Sequence, residues 1–304
     1  MHLARFNIPI SKNELIDLFD EVNQSYQFFC DEDFSVVGPS SLDFSEPNTI
    51  SFYQDNSGFI SDDRVLVIVN QEIFPANGNL VFVKDPKHFF IKFITLCEER
   101  LMFKDSYTKL IENNAFDFCD IHPTAVIEEG VSIGRNSIIS AGCVLKKGTH
   151  VGANCIVREN TIIGVDGISP YKSISGKLLK FPHVAGVIIY DNVEIGANCV
   201  ISKGTLQYTE IGNGSIIGNL CNVGHSCNIG EKVWMSVGTL LGGYTKINSY
   251  ATLGMGVTLK HGICIGDDSS VGMGSVVVKS LGDKKSCFGN PAKTIRSIKV
   301  GPKR

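Results

Sequence analysis

The 304-residue chain contains no run of 18 apolar residues, so no segment is long enough to cross a bilayer as a helix. Its first residues, MHLARFNIPISKNELIDLF, lack an apolar core of secretory length, and no signal peptide is expected. No CxxC occurs and no His/Cys cluster has structural-zinc spacing, so no metal is expected. Charge of one sign is also missing: 28 basic residues face 31 acidic ones, for a net charge of −3. Without a basic stripe or an aromatic-plus-arginine pattern, nucleic acid is not expected as a partner. Residues 299–304 are basic, but the run is short and reads as a solvated terminus. The first glycine is Gly38, so no glycine-rich turn can follow a first strand, which excludes a Rossmann-type nucleotide domain. Cysteine is present, at ten positions, and without a disulfide pattern its use fits a reducing cytoplasm.

Residues 121–277 repeat every six positions. Aliphatic residues stand at Ile121, Ile127, Ile133, Ile139, Leu145, Val151, Val157 and Ile163, and return at Ile189, Ile195 and Ile201. After a two-residue slip they run unbroken from Ile211 through Val223, Leu241 and Leu259 to Val277. A fixed six-residue period specifies a β-helix, three hexapeptides making an 18-residue coil. The position after the aliphatic residue is often glycine, as at Gly134 and Gly242, and is expected to supply positive φ at a corner. The position four after it is small or β-branched and includes Cys143, Cys155, Cys199, Cys221 and Cys227, which read as buried apolar side chains.

His225 and His261 both lie two positions after the aliphatic residue and 36 residues apart, hence two coils apart on one face. Adjacent strands lie about 4.8 Å apart, so their backbones should be roughly 10 Å apart. Gly243 lies midway and is expected to leave a notch between the imidazoles. Lys279 follows in the same column, one coil beyond His261.

The domain reading is an α/β region over residues 1–118, a β-helix over 119–285 with a loop insertion at 167–186, and a C-terminal tail over 286–304. In the first region Ser11 and Glu14 have capping-box spacing at a helix start. Residues 65–69 (VLVIV) and 80–83 (LVFV) read as buried strands, and residues 85–110 as mostly helical. The insertion, GISPYKSISGKLLKFPHVAG, is either a tolerated surface loop or an arm reaching for a ligand or a neighbouring subunit.

The segments IIGVDG, SGKLLKFPHVAGVIIYDNVEIGANCVISKGTL and IGNGSIIGNLCNVGHSCNIG resemble the UDP-3-O-acylglucosamine N-acyltransferases of lipid A biosynthesis and related enzymes acting on nucleotide-linked amino sugars. The resemblance implies a left-handed parallel β-helix, a homotrimer, His225 as general base, and His261 as a residue that assists the oxyanion or holds the substrate. NTISFYQD and VFVKDP are similar to that family's uridine-binding domain, whose two aromatics stack the base. Phe52 matches the first. The second falls on Gly58, with Phe59 beside it, and both phenylalanines are equally read as core packing. The C-terminal FGNPAKTIRSIKVGPKR instead resembles acetyl-CoA-dependent sugar acetyltransferases, as do VGHSCNIG and LLGGYTKI. That group opens with a Rossmann-like domain, which this chain lacks. Its histidine is often followed by an acidic residue, whereas Ser226 follows His225.

The expected activity is therefore N-acyl transfer from acetyl-CoA or another acyl-CoA to the amine of a UDP- or dTDP-linked amino sugar. The alternative is a lipid A enzyme that takes its acyl chain from acyl carrier protein; the terminal helices of that enzyme are not seen in this sequence. A neutral imidazole takes the proton from the attacking amine. The N–H of Gly243 is the candidate oxyanion donor and lies beside the donor thioester. Lys279 either meets a CoA phosphate or is simply solvated. Tyr171 and Lys180, in the insertion, are candidates for the diphosphate or sugar.

Overall fold

The computed structural model describes residues 2–22, 24–31, 33–42, 45–53, 64–70, 78–103 and 118–295. The chain divides into two compact units: residues 2–106 with 168–184, and residues 107–167 with 185–304. The insertion that interrupts the repeat thus packs with the first unit.

In the second unit the six-residue period becomes a parallel β-helix with faces of ten, eight and seven strands. Ile139 pairs with Val157 and Leu145 with Ile163, each one coil on. Across the insertion the step lengthens to 38 residues, so that Val157 still pairs with Ile195. One coil later it is 22 residues, pairing Ile201 with Val223. The slip in the sequence is therefore four extra residues at a single corner, which leaves the aliphatic register intact on both sides.

The inward aliphatic residues are buried from Ile133 to Val277. The small position does more than fit the remaining volume. Ser137 Oγ donates to Gly152 O at 2.8 Å, Thr161 Oγ1 to Gly196 O at 2.7 Å and Ser215 Oγ to Gly230 O at 2.9 Å. Cys143 and Cys155 use their thiols in the same way, toward Arg158 O and Tyr190 O, each at 3.0 Å. These carbonyls turn away from the sheet ladders at the corners, and a short inward donor satisfies them without water. Burial pushes the Cys155 thiol up to about 11 and the Cys227 thiol up to about 12, so these two stay protonated and unreactive.

Apart from Gly164, whose φ is 89, the corner glycines serve a different purpose from the one expected of them. Positive φ belongs to the third position after the aliphatic residue: Asn136, Asn154, Asn192, Ser226 and Tyr244 all adopt it. The glycine at the first position is instead required by close approach. A Cβ on Gly134 would lie 2.5 Å from the carbonyl carbon of Gly152, one coil on. Pairing also continues past residue 285. Ser286–Phe288 joins Ser270 and Val271 in parallel, and Lys293–Ile295 folds back on it antiparallel.

The first unit is α/β. Its five-stranded sheet runs Gln27–Phe29, Leu80–Phe82, Leu66–Val69, Thr49–Phe52, Gly38–Pro39, with only the first pairing antiparallel. Helix α1, Lys12–Val22, opens with the expected capping box: Glu14 Oε2 accepts from Ser11 N at 2.8 Å and from Ser11 Oγ at 2.6 Å. Helix α2, Pro86–Glu99, is capped at Arg100, and residues 104–110 of the segment read as mostly helical lie outside the described residues. Phe19 of α1 meets Phe89 and Phe93 of α2 edge-on, each at 5.3 Å, and these rings fill the core. Among the described residues no helix is long and apolar enough to cross a membrane, and no group of three or more His, Cys, Asp or Glu could hold a metal ion.

Candidate active site

Three successive parallel pairings set the column. Val223 pairs with Leu241, Leu241 with Leu259 and Leu259 with Val277. Two residues after each stand His225, Gly243, His261 and Lys279, which therefore occupy one corner on consecutive coils. The two imidazole centroids are 6.0 Å apart, well inside the spacing of their backbones. The glycine between them explains why. A Cβ on Gly243 would lie 2.5 Å from His225 Nε2 and 2.6 Å from Cε1. The space that glycine frees is thus filled by the His225 ring, which leans along the column toward His261; it is not an open notch.

His225 is 7% exposed, whereas His261 is exposed to solvent. Burial, and secondarily the like charge of His261, lowers the His225 pKa to about 4. The ring is therefore neutral at pH 7 and able to accept a proton. Lys279 is exposed at the next corner.

Tyr244, a residue the repeat did not single out, completes the cluster. Its ring stands edge-on to His225, with centroids 5.2 Å apart and planes at 88°, and lies 5.4 Å from His261. Its hydroxyl is hydrogen-bonded to Thr205 Oγ1, and burial raises its pKa, so the phenol stays protonated. Thr205 lies in the four-residue slip after Ile201. Its Oγ1 is also 3.1 Å from Ser226 Oγ, and its N–H donates to the same oxygen at 3.0 Å. Ser226 N donates to Thr209 Oγ1 at 2.8 Å. The available signal was the coincidence of a broken phase with the coil just before His225.

Some corners of the coil cap their N–H and others, such as Asn219, Val237 and Met255, have no such cap among the described residues. At five equivalent corners the N–H is capped by a side-chain oxygen one coil on. Ala153 and Asp191 donate to Asp191 and Asn213, and Ala197 donates to Asn219. Glu231 and Asp267 donate to Ser249 and Asp283. The Gly243 N–H has no acceptor among the described residues, because the residue one coil on is His261.

The remaining candidates lie in the first unit. Tyr171, on strand Pro170–Lys172, donates its hydroxyl to Asp85 Oδ1 at 2.8 Å. Asp85 caps α2, accepting from His88 N at 3.1 Å, and also accepts from Ile174 N at 3.0 Å. One carboxylate thus fastens the insertion to the start of a helix. Lys180 is exposed on the partner strand, Leu178–Lys180. Phe52 packs 4.9 Å from Phe90 and 6.3 Å from Phe181. Lys87 Nζ lies over Phe52, Tyr171 and Phe181, at 5.8, 4.9 and 6.0 Å from the ring centroids. Desolvation lowers the Lys87 pKa, opposed by the charge of Asp85. Phe59 and Gly58 lie outside the described residues.

No protein-family model matches the chain, and no curated protein matches it. Solved structures similar to it include the UDP-N-acetylglucosamine acyltransferase from Campylobacter jejuni, at 22% identity over 58% of this chain and 74% of that one, with a TM-score of 0.48. The Arabidopsis UDP-N-acetylglucosamine acyltransferase is 23% identical over 61% and 73% of the two chains, with a TM-score of 0.41. The Francisella novicida UDP-N-acetylglucosamine acyltransferase is 23% identical over 59% and 68%, with a TM-score of 0.43.

Proposed function

We propose that the protein is an N-acyltransferase that moves an acyl group from acyl-CoA to the amine of a nucleotide-linked amino sugar. The observation that carries this reading is a buried, neutral His225 seated over Gly243, whose N–H has no acceptor among the described residues. The amine nitrogen attacks the thioester carbonyl, and His225 takes the proton released as the C–N bond forms. Help of this kind is worth about 10²–10⁴-fold. The carbonyl oxygen becomes an oxyanion, for which the Gly243 N–H is the donor. Collapse breaks the C–S bond, and the proton passes from His225 to the departing thiolate. His261, exposed and 6.0 Å from His225, assists the oxyanion or holds the sugar. Lys279, one coil further, is the candidate for a CoA phosphate. In the first unit, Phe52, Phe59, Tyr171 and Lys180 are the candidates for the nucleotide and sugar. The raised pKa values of the Cys155 and Cys227 thiols disfavour a covalent acyl-cysteine at either position. The reading also includes a homotrimeric assembly in the cytoplasm.

The test is thiol release from acetyl-CoA with a panel of UDP- and dTDP-linked amino sugars, wild type beside His225→Ala. Turnover on one amino sugar, reduced by at least about 10²-fold in the variant, is the expected result. Turnover only with a carrier-protein donor moves the assignment to that donor class. Equal turnover in His225→Ala removes His225 as the base.

A further inference from the structure

The four-residue slip and the tyrosine after Gly243 meet at one hydrogen bond. We propose that Tyr244 is a positioning residue for His225, and that the slip exists to anchor it through Thr205. This rests on the reading of His225 as the base.

The geometry is specific. The edge-on contact at 88° sets a wall against the imidazole on one side, while Gly243 provides the floor. An imidazole so confined keeps one ring orientation, which is what a proton acceptor needs at the moment of attack. A phenol that could swing away would not confine it. Thr205 prevents the swing by holding the hydroxyl, and it is itself held by Ser226, the residue next to His225. Thr205 and its neighbours 204–208 are all buried. A coil of regular length has no residue to place at this point, since the extra four residues occur only where the step is 22.

Tyr244 sits at φ 57, the left-handed conformation that the third position after the aliphatic residue adopts along the coil, so its backbone direction is set by the repeat.

The experiment compares wild type, Tyr244→Phe, Tyr244→Leu, Thr205→Val, the Thr205→Val/Tyr244→Phe double variant and His225→Ala. Steady-state kinetics are read beside the ring resonances of His225, which are assigned by their loss in His225→Ala. Removing the aromatic wall in Tyr244→Leu should lower kcat by about 10–100-fold, with KM changed by no more than about twofold. Tyr244→Phe keeps the ring and loses one hydrogen bond, so it should recover most of that loss and remain about 3–10-fold down. Thr205→Val should be at least as impaired as Tyr244→Phe, and the double variant no worse than Thr205→Val, because both remove the same bond. The His225 resonances should shift in Tyr244→Leu through loss of the ring current. Unmoved resonances overturn the proposal, as do moved resonances with an unchanged kcat. Full activity in His225→Ala instead refutes the general-base reading; the resonances then still report whether Tyr244 seats the ring.

Discussion

Two interruptions break the repeat, and they do opposite things. The long one, residues 167–186, leaves the β-helix: residues 168–184 pack with the α/β unit, where Tyr171 and Ile174 both bond Asp85. The short one, four residues after Ile201, stays in the coil and brings Thr205 to Tyr244 and Ser226, beside His225. Length in sequence is thus a poor guide to what an irregularity touches. A long insertion has enough chain to find a partner elsewhere. A short one must remain at the corner that produced it, so its side chains act on the adjacent coils.

Excising residues 204–207 is the sharpest way to break this comparison. The ladder on either side is regular, so the β-helix should persist by circular dichroism. Turnover should fall by about 10²-fold as the Thr205 anchor disappears and the imidazole loses its fixed orientation. A variant that keeps wild-type kcat would reduce the slip to a tolerated bulge.

The same corner makes a prediction in pH. The His225 pKa, about 4, lies below the ordinary imidazole value of about 6.5. The acid limb that the free enzyme contributes to kcat/KM should therefore fall near pH 4. Linkage has the same sign. The stability tied to keeping His225 neutral is fully present above about pH 6.5 and is lost as pH falls through about 4, because the unfolded state binds the proton more readily. His261→Ala should raise the His225 pKa by removing a like charge, leaving the larger contribution of burial in place. Titration of the His225 ring by NMR measures both. A ring that titrates at about 6.5 in the wild type would contradict the burial seen here.

The long interruption should give the smallest effect. Tyr171→Phe removes one of three hydrogen bonds to Asp85 and should destabilise the first unit by about 1 kcal/mol. Faster hydrogen exchange at the Ile174 amide would report it. No change there would mean that the remaining bonds to Asp85 fasten the insertion on their own.

Much of the β-helix is legible in the sequence, because each residue's phase in a six-residue period fixes whether it points inward and which coil neighbours it meets. That is why His225, Gly243, His261 and Lys279 share one phase in the sequence and one column in the fold. The glycines mark a limit of what a single hexapeptide encodes. Their position was evident but not their cause, since close approach to Gly152, one coil on, is invisible in a single hexapeptide. Phe52 shows the other limit: its neighbours Phe90 and Phe181 come from a helix and from the insertion, at distances no local pattern encodes.

The sequence by itself determined the coil, its register and the column of candidate groups, since all three follow from a period that each residue shares with its immediate neighbours. The tertiary structure alone decided that Tyr244 walls in His225, that Thr205 holds Tyr244, and that the insertion joins the α/β unit. Each of those is a contact between aperiodic residues brought together by the packing of separate segments. Contacts of that kind depend on side-chain direction and reach, which no spacing along the chain records.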